Sequence, residues 1–129
     1  MNAVDAPLSY TAPMSQATIY HHARCSNSRG ALELLRGRGV EPRIVEYQKT
    51  PLTTAELAAL VRQLAVPVRA LLRSKEEAYQ RLALAEPARS DAELIAAIAA
   101  HPELLNRPIV VTPKGALLCR PPERVLELL

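Results

Sequence analysis

The sequence predicts an α/β protein on a mixed sheet, with elements in the order β-α-β, an all-helical stretch, then β-β-α. Three observations carry this. Two strand-like runs, ATIYH (17–21) and RIVEY (43–47), flank a segment with leucines at helical spacing. Two capping-box patterns, Thr53-Thr54-Ala55-Glu56 and Ser90-Asp91-Ala92-Glu93, open helices in the middle of the chain. Near the C-terminus two apolar runs, PIVVT (108–112) and ALLCR (116–120), are separated by a Lys114-Gly115 turn, the mark of a hairpin.

In chain order, 17–21 reads as a short buried strand. From Ser26 to Arg38 the residues Ala31, Leu32, Leu34 and Leu35 gather on one helical face, and Gly39 is placed to end the helix. The alternation of 43–47 gives the second strand, and parallel pairing through a right-handed crossover is the default for such a unit. The first capped helix runs to about Leu64; Pro67 interrupts, VRALLR (68–73) forms a short helical turn, and helical composition continues over 75–82. The second capped helix ends before Pro102, with His101 as a C-terminal capping histidine. After the hairpin, Pro122 to Leu129 makes a closing helix. This order is the thioredoxin-like arrangement with a helical insertion at about 53–101. Arg107-Pro108 stands where such folds carry a proline facing the active cysteine, in a peptide that is usually cis; the sequence leaves its isomer open.

Composition narrows the function. Phe and Trp are absent and Tyr numbers four, so the core must be aliphatic. No apolar run approaches the ~20 residues of a membrane span. The first sixteen residues lack the basic start and continuous apolar stretch of a secretory signal. They are read as a disordered tail, 17–129 as one domain, and the protein as cytoplasmic. A net charge of +3 is too small and too scattered to argue for nucleic acid. The positive charge is 13 Arg to 3 Lys; arginine is the better fork for oxyanions, although a GC-rich genome gives the same bias.

Cys25 is the chemical focus. It lies where the first strand hands over to the first helix, and helix N-termini favour anions and lower a thiol's pKa. Arg24 and Arg29 add positive charge. Ser26, Asn27 and Ser28 are placed to cap the helix or donate to the sulfur, and His21 to pair with a thiolate or set its proton state. The competing reading is an inert buried thiol, which the polar, cationic neighbours disfavour. Ser28 occupies the second position of a C-x-x-C motif, so a local disulfide is impossible and an outside reductant is needed. A C-x5-R phosphatase loop fails at Ala31. His21, His22 and Cys25 lack a second ligand cluster, so no metal is expected. Cys119, between Leu118 and Arg120, is read as a core or edge residue, with a resolving thiol as the alternative. Arg62, Arg69, Arg81, Arg89 and Arg124 are left as surface charges.

Four segments together resemble the ArsC family, the glutaredoxin-coupled arsenate reductases of bacteria. The family's H-N-x-x-C-x-x-S-R is matched from His21 to Arg29, its V-R-A-L-L-R from Val68 to Arg73, its N-R-P-I-V-V-T-P from Asn106 to Pro113, and its C-R-P from Cys119 to Pro121. The resemblance covers about 17–129. It implies that Cys25 attacks arsenic, that His21 and Ser28 tune its ionisation, and that Arg73, Arg107 and Arg120 bind the oxyanion. Arg29, Arg24 and His22 are further candidates for the site. It also implies glutathione as co-substrate, glutaredoxin as partner, no bound cofactor, and a monomer.

The match departs in places. His22 stands for the family's asparagine and Ala23 for its usual proline, and the chain stops at Leu129 where some relatives extend. The R-C-S-x-S-R and R-P-P-E-x-V-L-E forms resemble a branch of the family whose substrate is open. That keeps a second reading, a thiol-disulfide oxidoreductase of another substrate. A third is a regulator that binds RNA polymerase; those relatives carry C-x-x-C, which Ser28 breaks.

Overall fold

The computed structural model describes residues 16–129. The expected tail therefore lies, but for Gln16, outside the described residues. The chain divides into two compact units: the residues up to Val45 with Arg107–Leu129, and Glu46–Asn106.

Among the described residues the first unit holds a four-stranded mixed sheet and two helices. Its elements are β1 (Thr18–Tyr20), α1 (Ser26–Gly37), β2 (Arg43–Val45), β3 (Ile109–Thr112), β4 (Gly115–Leu118) and a closing 3-10 helix (Pro122–Leu128). The sheet order is β2-β1-β3-β4. β1 runs parallel to β2, with Ile19 opposite Ile44, and antiparallel to β3, with Tyr20 opposite Ile109. The hairpin pairs Ile109 with Leu118 and Thr112 with Gly115. The turn is thus Pro113-Lys114, one residue earlier than the sequence suggested, and Gly115, at φ 141°, opens the return strand.

One register has a functional consequence. The end of β1, the start of β3 and the end of β4 all meet at the same end of the sheet. Arg107 precedes β3, Arg120 follows β4, and the loop to α1 leaves β1, so all three are delivered to one place. The peptides Arg107-Pro108 and Arg120-Pro121 are both cis.

α1 forms because Ala31 and Leu35, wholly buried, pack on Ile19, Val110, Cys119 and Val125. Its C-terminus closes as a Schellman motif. Gly39 N–H donates to Arg36 O at 3.0 Å and Val40 N–H to Leu35 O at 2.9 Å, with Gly39 at φ 78° where a side chain would be strained. The closing segment packs on α1 as a 3-10 helix rather than an α-helix, with Val125 and Leu128 buried. Its first turn lies so near α1 that a Cβ at Gly30 would meet Pro122 at 3.1 Å.

The second unit contains α2 (Thr54–Leu64), a 3-10 turn (Val68–Leu71), α3 (Glu77–Arg81), α4 (Asp91–Ala100) and a 3-10 turn (Pro102–Leu104). Both predicted capping boxes are complete: Thr53 with Glu56, and Ser90 with Glu93. His101 is the C-cap of α4. The helical stretch expected over 75–82 shrinks to five residues. Beyond it, irregular chain is tied by two arginines left as surface charges from the sequence. Arg69 donates to the Leu84 and Glu86 carbonyls at 2.8 and 2.7 Å, and Arg89 to the Leu82 carbonyl at 2.7 Å. Arg124, in the first unit, likewise donates to the Leu118 carbonyl at 3.2 Å. Arginine's fork suits such carbonyls, and Arg69 and Arg89 hold backbone that lies outside the regular elements. Among the described residues no helix is long and apolar enough to cross a membrane.

Candidate active site

Cys25 is the N-cap of α1, with extended backbone (φ −88°, ψ 123°). Its carbonyl already accepts the first helical bond, from Arg29 N–H at 2.9 Å. The sulfur is therefore held at the helix mouth, half-buried. The sequence left Ser26, Asn27 and Ser28 as caps or as donors to the sulfur. The structure divides these tasks. No side chain caps the helix; the backbone N–H groups of Ser28 and Asn27 hydrogen-bond the sulfur, while their side chains go elsewhere.

Burial pushes the Cys25 thiol up. The Ser28 backbone N–H, a hydrogen bond from the Arg107 guanidinium, the Asn27 backbone N–H and the Arg107 charge outweigh it, and the thiol lies below its ordinary value. The expected lowering thus holds, but the cation responsible is Arg107, 82 positions away in sequence, rather than Arg24 or Arg29. Arg120 adds a second guanidinium: Nη1 lies 3.9 Å from Cys25 Sγ and donates to the Arg107 carbonyl at 2.9 Å. The side-chain amide of Asn27, oriented with its oxygen toward Arg120, accepts from Nη1 and Nη2, each at 3.2 Å.

His21 and Ser28 meet each other. His21 Nδ1 and Ser28 Oγ share a hydrogen bond of 2.6 Å, and Oγ accepts the His22 N–H at 3.0 Å. With exposures of 7% and 0%, both belong to the interior. The Ser28 hydroxyl therefore ties the loop 21–28 together, and it is the residue's backbone that addresses the sulfur. His22 Nδ1 accepts the Arg24 N–H at 3.2 Å, a local turn bond. Arg24 is exposed. Arg29 donates to the Ala23 carbonyl at 3.0 Å, pinning the loop rather than facing the sulfur.

Arg73 belongs to the second unit. There it pairs with Glu76 at 3.2 Å and donates to Asn106 Oδ1 at 3.4 Å. Cys119 is wholly buried in the first unit's core, as its first reading had it, and burial pushes its thiol up to about 11. Among the described residues no three His, Cys, Asp or Glu side chains cluster as a metal site would need.

A thiol lowered at a helix mouth, facing two guanidinium groups, is equipped to act as a nucleophile toward an anion. The family model described as ArsC family matches residues 20–128. The chain belongs to the ArsC family.

An arsenate reductase of Escherichia coli (strain K12) is 51% identical over 116 residues, which is 90% of this chain and 82% of that one. The solved structure of an arsenate reductase from Vibrio cholerae superposes with a TM-score of 0.85 at 46% identity, covering 88% of this chain and 97% of that one. A further Escherichia coli (strain K12) relative, the uncharacterized protein YfgD, is 46% identical over 114 residues, 88% of this chain and 96% of that one. The thioredoxin-like, mixed-sheet reading of this ArsC-family chain therefore stands.

Two features of the site lay beyond sequence reasoning. The Asn27 side chain's hold on Arg120 had no signal except an amide two residues past the cysteine. The second cis peptide, Arg120-Pro121, carried only the arginine-proline pair that it shares with Arg107-Pro108.

Proposed function

We propose that this chain reduces arsenate to arsenite, with Cys25 as nucleophile and with glutathione and glutaredoxin as reductants. The observation that carries the reading is that Arg107 and Arg120 both reach the Cys25 sulfur. A doubly charged tetrahedral oxyanion needs forked donors beside its attacker, and two are in place. The roughly half-identical arsenate reductase of Escherichia coli supports arsenate as the anion.

In this mechanism the Cys25 thiolate bonds to pentavalent arsenic and an arsenate oxygen leaves as water. Glutathione's sulfur then bonds to the same arsenic, expelling a second water. Glutaredoxin's thiol takes the glutathione sulfur as a mixed disulfide, and the electron pair of that bond stays on arsenic, which becomes trivalent. Water cleaves the remaining sulfur–arsenic bond, frees Cys25 and releases arsenite. In sum, two external thiols supply two electrons and one arsenate oxygen is lost as water. Ser28 in place of a second cysteine, and a buried Cys119 with its thiol pushed up to about 11, support external rather than internal thiols. His21 acts through Ser28 to hold the loop. The chain works in the cytoplasm, as a monomer.

A second reading keeps the site and changes the substrate; it rests on the 46% identity to the uncharacterized protein YfgD. On that reading the same thiol and arginines act on a different anionic or disulfide substrate.

Arsenate reduction by the purified protein, with glutathione, glutaredoxin and NADPH-coupled recycling, tests both. Wild type should turn over, Cys25→Ser should be inactive, and Arg107→Ala should lose roughly 10- to 100-fold in kcat/KM, the worth of one charged hydrogen bond. A wild type without arsenate-dependent turnover whose Cys25 still alkylates rapidly near neutral pH would remove arsenate and leave the second reading.

A further inference from the structure

We propose that Asn27 is a positioning residue of the oxyanion site: its side-chain amide holds the Arg120 guanidinium beside Cys25 and leaves that guanidinium's charge uncompensated. This rests on the reading of the site as an oxyanion site.

The argument begins with the partners of Arg120. Nη1 and Nη2 both reach the Asn27 amide oxygen at 3.2 Å, and Nη1 also donates to the Arg107 carbonyl at 2.9 Å. Apart from the Cys25 sulfur, these acceptors are neutral. Two other exposed arginines, Arg36 and Arg81, are held instead by carboxylates, those of Glu41 and Glu77. A carboxylate holds a guanidinium more strongly, but it also cancels its field and would repel an incoming anion. An amide oxygen fixes the same fork and cancels nothing.

Arg120 is exposed and rotamer-rich, and the Arg107 carbonyl holds Nη1 alone, so with that single tether its fork would swing toward solvent. Asn27 is well placed to prevent this, because it sits on the first turn of α1 and its own backbone N–H hydrogen-bonds the Cys25 sulfur. One residue thereby sets the position of the nucleophile with its backbone and of a clamp arm with its side chain. The separation between attacking atom and oxyanion donor is then fixed by the geometry of a single residue, which is what a preorganised site requires.

The test compares wild type, Asn27→Ala and Asn27→Asp in two assays. The first is arsenate turnover, separated into KM and kcat. The second is the rate of Cys25 alkylation by iodoacetate relative to iodoacetamide, a charged and a neutral probe of the same thiol, read by mass spectrometry of the Cys25 peptide. Asn27→Ala should raise the arsenate KM about tenfold with kcat within about twofold, since a charged hydrogen bond is lost from binding. It should also lower the iodoacetate-to-iodoacetamide ratio several-fold. Asn27→Asp keeps the shape and the hold but adds a negative charge, and should lower that ratio further than alanine does. Wild-type KM and ratio in both variants would overturn the proposal, as would a loss confined to kcat. If wild type itself reduces no arsenate, the arsenate reading fails, and the alkylation ratios alone decide the role of Asn27.

Discussion

Replacing Ser28 by alanine separates the two roles the site gives this residue. The hydroxyl is wholly buried and serves two neighbours: the His21 ring, at 2.6 Å, and the His22 N–H, at 3.0 Å. Alanine removes one oxygen and leaves almost no cavity, so the cost comes from the polar groups left behind. A buried group without its partner costs about 1–3 kcal/mol. The His22 N–H is only part-buried and belongs at the low end, whereas the His21 ring, 7% exposed, belongs higher. The sum is roughly 2–4 kcal/mol, a fall in Tm on the order of 10 °C for a chain of this size. Urea unfolding should show a lower midpoint at unchanged slope. The same variant should leave the pH midpoint of Cys25 alkylation nearly in place, because the backbone N–H of residue 28, which alanine keeps, is what hydrogen-bonds the sulfur. A loss below about 1 kcal/mol would mean water replaces the hydroxyl. A large upward move of the alkylation midpoint with little loss of stability would refute the division of labour outright, and restore Ser28 as a direct tuner of the thiol.

Arg107→Ala takes away both a hydrogen bond and a charge that hold the Cys25 thiol down, while burial continues to push it up. Alkylation of Cys25 by iodoacetamide should accordingly shift to higher pH, and Arg107→Lys, which keeps the charge without the fork, should shift it less. The two cysteines give stability opposite pH dependences. Cys25, lowered from 9.0 when folded, adds stability that is present above 9.0 and lost as pH falls through its folded value; Cys119, raised to about 11, adds stability that is full below 9.0 and lost as pH rises toward 11. Urea midpoints measured across pH should therefore lose the rise toward 9 in Cys25→Ser and the fall beyond it in Cys119→Ala. Gly39→Ala places a side chain at φ 78° and should cost about 1 kcal/mol by urea unfolding.

Much of the fold was legible because its signals are local. The capping boxes at Thr53 and Ser90 act within four residues, and Gly39 ends α1 by its own backbone freedom. The hairpin turn was misplaced by one residue because Pro113-Lys114 and Lys114-Gly115 are both good turn pairs, and only the pairing of Thr112 with Gly115 chooses between them. The closing segment has helical composition, yet it follows a cis Arg120-Pro121 peptide and packs as a 3-10 helix. At the site, Cys25 was legible from its place between strand and helix. The partner of each side chain was not, since hydrogen-bond direction is decided by tertiary placement. His21 and Ser28, expected to tune the thiol's ionisation, bond to each other through their side chains, and Arg69, Arg89 and Arg124 are backbone ties rather than idle surface.

His22 shows how a departure from a family pattern is absorbed. Its position carries asparagine in the motif the chain resembles, and an imidazole there first suggests altered thiol chemistry. In the structure its Nδ1 accepts the Arg24 N–H at 3.2 Å, two residues on. That bond is the one an asparagine side chain makes when it closes a turn on its own backbone. The turn it closes is the same one in which Cys25 N–H donates to the His22 carbonyl at 3.0 Å and Arg29 holds the Ala23 carbonyl. Three bonds from different donors thus fix four residues, and the sulfur at the end of that turn is aimed by the backbone. Histidine and asparagine are interchangeable in this duty because each offers an acceptor at short reach from the main chain. The substitution therefore preserves the placement of Cys25, and the thiol's ionisation stays with the Ser28 and Asn27 N–H groups and with Arg107.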